Sequence, residues 1–133
     1  VELIRRLEEK DPSHSVYEAS LPPADVTHPF YYIEELRGAD DNLKREIMQD
    51  VYHTVSVWHD DPYKKQEVFR MLGLIGEVIR EMEAEGTPSY RWMVVDSGMR
   101  VLNDTVSGKT GTRSGTVYVH GLYEVHLKQI GSR

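Results

Sequence analysis

The stretch from Asp60 to Gly86 constrains the fold most. Val68, Met71, Leu72, Ile75, Val78, Ile79 and Met82 recur at three-and-four spacing, the period that gathers side chains on one face of an α-helix. Asp60-Asp61-Pro62 precedes the run with an acidic N-cap candidate and a proline for the first turn, and Gly86 follows as a stop. The pattern predicts a helix over residues 63–85, about 35 Å long. A helix of that length crosses a whole face of a small sheet, and its apolar stripe needs such a face to cover it. With 133 residues, the chain has room for one domain around one hydrophobic core.

The remaining segments supply strands. Phe30 to Leu36 is aromatic and β-branched, and Gly38-Ala39-Asp40-Asp41-Asn42 reads as the turn after it. Thr54 to Trp58 is β-branched enough for a strand. Ile47, Val51, Val55 and Val57 would share one face if the strand began earlier, and it would then outrun its sheet partner as an arm. Arg91 to Val95 predicts a strand that Met99 to Asp104 continues or follows. Thr116 to Leu127 alternates strictly, with a Gly/Ser/Thr loop at 105–115 before it. At the N-terminus Val1, Leu3, Ile4 and Leu7 give a short amphipathic helix ending near Asp11-Pro12. Residues 13–29, with Pro22, Pro23 and Pro29, read as an extended, irregular connection. The order α-β-β-α-β-β describes an α+β fold: a mixed, mostly antiparallel sheet with the long helix packed on one face, plus the short N-terminal helix.

Candidate chemistry is sparse. The chain has no cysteine, which excludes thiol nucleophiles, disulfides and thiolate metal sites. Ser107-Gly108-Lys109-Thr110 resembles the end of a phosphate-binding loop, but Asn103 stands where the first glycine is required, and a strand rather than a helix follows. His59, Asp60 and Asp61 could ligate a metal at a strand end, whereas the same carboxylates suit a helix N-terminus. His53/His59 and His120/His126 each share a strand face, yet six residues of strand separate them by roughly 20 Å, too far to chelate one ion. No Gly-x-Ser-x-Gly elbow occurs, and Glu34 and Glu35 point to opposite faces of their strand. Tyr31, Tyr32, Trp58, Trp92, Tyr118 and Tyr123 fall in strands and should pack in the core or in cross-strand pairs. No cofactor or metal is expected, and the expectation is a protein without catalytic activity.

Charge is divided unevenly. The net charge is −6, but residues 1–96 carry 11 basic and 20 acidic side chains, and residues 97–133 carry five and two. An acidic majority disfavours a phosphate grip, which needs clustered basic surface. No apolar run approaches the roughly 18–20 residues of a membrane span, and synthesis in a cytoplasm is the expectation.

Thr54-Val55-Ser56-Val57-Trp58-His59-Asp60-Asp61-Pro62-Tyr63, a strand ending in tryptophan and passing directly into a long amphipathic helix, resembles the tail-terminator, or tail-completion, proteins of long-tailed bacteriophages. So does Arg100-Val101-Leu102-Asn103-Asp104, followed by the 105–115 loop and the closing Val117–Leu127 strand. The similarity of layout covers most of residues 28–130. It implies a virion protein at the head–tail junction: six copies form a ring on the tail tube, stop its elongation and meet the head connector, with DNA passing through unbound. Such a family has no catalytic residues to carry over. Loops 38–46 and 105–115 would then be the contacts to neighbours, tube and connector, through Asp40, Asp41, Lys44, Arg45, Gly108, Lys109, Gly111 and Arg113. Lys109 and Arg113 could meet acidic patches of a neighbour, or simply keep the loop soluble. Two other functions stay open: a neck or head-completion protein at the connector, and a metal-dependent hydrolase using His59, Asp60 and Asp61.

Overall fold

A computed structural model of the chain describes residues 2–18, 26–42, 46–106 and 116–132. Its elements run α1 (Glu2–Lys10), β1 (Val16–Glu18), β2 (Phe30–Asn42), β3 (Glu46–His59), α2 (Lys65–Glu85), β4 (Tyr90–Val106) and β5 (Thr116–Ser132). The strands form one sheet in the order β1-β2-β3-β5-β4. Among the described residues only the β1–β2 pair is parallel. β3 and β4 run the same way with β5 inserted between them, and α2 is the crossover that this arrangement requires. The fold is α+β, with a mixed sheet, one long helix and one short N-terminal helix.

Alternation along the strands decides which side the helices cover. Val51, Val55 and Val57 of β3 are buried with Tyr31 and Ile33 of β2, Val119, Val125 and Leu127 of β5 and Trp92 of β4. Onto this face α2 lays the same seven apolar residues that its period marks, and α1 adds Leu3 and Leu7. Each such side chain contributes about 1.5–3 kcal/mol by leaving water. α1 is held alongside α2 by an Arg6–Glu85 ion pair of 2.6 Å and by Lys10 with Glu81. One position requires glycine: a Cβ on Gly121 would stand 2.7 Å from Val68 Cγ1 and 3.1 Å from Leu72 Cδ1. Its absence lets α2 approach β5. Gly86 ends α2 at φ +63°, where a side chain would be strained.

Several local expectations are corrected. The 13–29 connection is extended at Val16–Glu18 but not irregular there, since this segment pairs with Tyr31–Ile33 as a strand. The turn expected at 38–42 is strand: after a register shift between Arg37 and Asp40, Asp40 and Asp41 pair with Gln49 and Met48. β3 does extend back to Glu46, but it is no free arm, because β2 pairs it as far as Asn42 and β5 as far as Ser132. β4 is one strand through Val106, with a register shift between Val94 and Asp96 in place of a break. The carboxylates at 60–61 do not cap α2. Lys64 is the N-cap residue, and it makes no side-chain cap bond. Asp61 Oδ1 instead accepts the Tyr63 N–H at 2.9 Å, closing a separate turn that delays the helix to Lys65.

Candidate assembly surface

The residues singled out from the sequence do not gather in one site. Asp40 and Asp41 lie in β2, and Lys44, Arg45, Gly108, Lys109, Gly111 and Arg113 fall outside the described residues. The strand ends that flank them are far apart. Asn42 and Glu46 lie level with Ser132 and Tyr90 at one end of the sheet, whereas Val106 and Thr116 pair at the other.

The β3-to-α2 corner holds a line of imidazoles and carboxylates. His59 is buried, with Nδ1 3.3 Å from Asp60 Oδ1 and Nε2 3.3 Å from Glu67 Oε2. The other Glu67 oxygen lies 3.6 Å from His14 Nε2, and His14 Nδ1 lies 2.8 Å from Asp11 Oδ2, which also accepts the Tyr31 hydroxyl at 2.7 Å. Burial opposes ionisation of Asp11, but its bonds from Tyr31 and His14 prevail and hold the carboxyl below its ordinary range. Glu67 thus ties the start of α2 to both the end of β3 and the segment after α1. Nothing in the sequence signals this tie, because its members lie up to 53 positions apart in the chain. Among the described residues no three His, Cys, Asp or Glu side chains are grouped so as to hold a metal ion. The corner as built joins elements.

The second face of the sheet is not covered by either helix. It carries two cross-strand stacks, both between directly opposed residues of β3 and β5. Trp58 lies over His120 with ring centroids 3.9 Å apart and planes 9° from parallel, and Tyr52 lies over His126 at 4.3 Å and 17°. His120 Nε2 is 3.0 Å from Ser56 Oγ, and His126 Nε2 is 2.8 Å from Asp50 Oδ1. His126 and then Lys128 keep the Asp50 carboxyl below its ordinary range. A shallow groove of about 400 Å³ runs beside the second stack, between Tyr52, Thr54, Glu124, His126, Asp96 and Gly98. These rings pair across strands, as expected of strand aromatics.

The outer edges of the sheet complete the surface. Four exposed apolar residues lie along β4, namely Met93, Val95, Met99 and Leu102, and Met99 is 60% exposed. A groove of about 330 Å³ separates the middle of β4 from α2, floored by Gly73, Gly76 and Tyr123 and rimmed by Arg80 and Met99. Sequence reasoning missed this edge. The available signal is Trp92-Met93-Val94-Val95, an apolar run that breaks alternation where the register shifts. No protein-family model and no curated protein matches this chain.

Proposed function

We propose that this protein is a tail-terminator protein of a long-tailed bacteriophage, acting as a homohexameric ring on the end of the tail tube that stops elongation and receives the head connector. The observation that carries the reading is the order and length of the elements. A strand ends at Trp58-His59, turns through five residues into a 21-residue helix, and the sheet is completed by a hairpin of two 17-residue strands. That is the layout on which the family resemblance rests. A net charge of −6 per chain suits a ring that DNA traverses without being gripped. It also means that subunit contacts have to include local pairing of opposite charges, because like net charges repel.

The ring is tested by multi-angle light scattering and electron microscopy of the full chain, alone and added to tail tubes assembled without it. A particle of six 15.4 kDa chains, or a six-fold cap on the tubes, is expected. A chain that stays monomeric and leaves the tubes bare contradicts the reading. The metal-hydrolase alternative predicts a stoichiometric bound metal and chelator-sensitive hydrolysis, and the neck-protein alternative predicts binding to the connector rather than to the tube.

A further inference from the structure

Among the described residues, the sheet has two unpaired outer edges. β1 pairs only with Tyr31, Tyr32 and Ile33, which leaves β2 uncovered from Glu34 to Asn42. On the other side β4 pairs only with β5 along its whole length. The two edges are complementary in two respects. The first is direction: β2 is antiparallel to β3, β3 to β5 and β5 to β4, so β2 and β4 run opposite ways, and a neighbouring copy continuing the sheet sets its β2 antiparallel to β4. The second is level. Leu36 stands opposite Tyr52, Tyr52 opposite His126 and His126 opposite Asp96, so the uncovered part of β2 sits level with the first half of β4. Charge does not oppose this pairing: Glu34 to Asn42 carries four acidic residues and one arginine, and the facing stretch Tyr90 to Gly98 balances Arg91 against Asp96.

We infer that neighbouring copies of this chain join edge to edge, the outer edge of β2 from Glu34 to Asn42 in one copy pairing antiparallel with the first half of β4 in the next. The inference deepens the ring reading and rests on it. A contact between two different patches is head-to-tail and closes into a ring when its rotation divides the circle. An exposed 17-residue edge with apolar side chains is otherwise a standing invitation to uncontrolled pairing, and a neighbour's strand removes it. Pairing of β2 with β2 of a second copy would set acid against acid.

A chain without cysteine lends itself to a direct test. Leu36→Cys protein is mixed with Met93→Cys or Asp96→Cys protein under mild oxidation, alone and on tail tubes, with oligomeric mass measured in parallel. All three positions are exposed; the level of the strands sets Leu36 opposite Asp96, which brings cysteines at these two positions within the 4.4–6.8 Å Cα separation that a disulfide needs, and Met93 reads a contact shifted along β4. Covalent dimers only in the mixtures are the expected result. Oligomers that form with no cross-link in either mixture overturn the edge contact and leave the ring standing. Cross-linked dimers of Met93→Cys or Asp96→Cys protein alone overturn it in favour of a two-fold β4–β4 contact. Absence of any oligomer, alone or on tubes, overturns both.

Discussion

Gly121 of β5 lies directly beneath Val68 of α2, close enough that a single added carbon on the glycine would stand 2.7 Å from Val68 Cγ1. Gly121→Ala should therefore push α2 away from the sheet and lower stability by about 1–3 kcal/mol, the usual cost of overpacking a filled core. Gly73 is the control. A Cβ there meets nothing within 4 Å, so Gly73→Ala should stabilise the helix by about 0.5–1 kcal/mol. Midpoints of urea unfolding read both effects, and equal losses in the two variants would contradict the packing described.

His53 is buried in β3, and its Nδ1 has no hydrogen-bond partner among the described residues. Burial pushes its pKa below the ordinary histidine value, with Glu35 opposing weakly and Arg37 reinforcing the shift. The folded state thus binds this proton less readily than the unfolded chain, so stability should fall as pH drops below about 6.5. His53→Leu removes both the orphaned nitrogen and the titration. It should raise stability at pH 7 by about 1 kcal/mol and flatten the stability–pH curve below about pH 6.5. Urea melts across that range check the slope.

Asp11 joins the chain after α1 to the core through the Tyr31 hydroxyl. Asp11→Ala leaves that hydroxyl and His14 without their acceptor and should cost about 1–3 kcal/mol at pH 7. Because the folded carboxyl titrates below its unfolded value, its contribution is present above about pH 4 and is lost as pH falls further. The gap between the wild-type protein and Asp11→Ala should accordingly narrow in acid. A gap that is constant from pH 7 to pH 3 would separate the effect from ionisation.

The long helix and the closing strand are legible in the sequence because their periods, 3.6 and 2, run unbroken for many residues. Lys65–Glu85 and Thr116–Ser132 are the elements where burial is one-sided and the pattern shows it. The turn expected at Gly38–Asn42 failed because turn-forming residues can sit in a strand where the ladder shifts register, as it does between Arg37 and Asp40. β1 was illegible for a different reason: three residues are too few to show a period, and only pairing with Tyr31–Ile33 gives them strand form. Carboxylates before a proline resemble a helix start, yet Asp61 spends its oxygen on the Tyr63 amide, a choice between two adjacent turns that residue types alone do not make. As for the β4 edge, Met93, Val95, Met99 and Leu102 read in the sequence only as strand residues. Being at an edge is a property of topology.

Residues 107–115, outside the described residues and read from the sequence as part of a loop, are proposed as a contact through Gly108, Lys109, Gly111 and Arg113. Deleting Gly108 to Thr112 should leave the circular dichroism spectrum and unfolding midpoint within the range of surface changes, about 0.5 kcal/mol, and should impair binding to the tube or connector. Unchanged assembly would remove this loop from the account.

Tail length in virions made without this protein tests the central claim most directly. Electron micrographs of lysates from a phage lacking the gene for this chain should show tails that have grown past the normal length, beside filled heads that carry no tail. Tails of normal length joined to heads in its absence would contradict the terminator role.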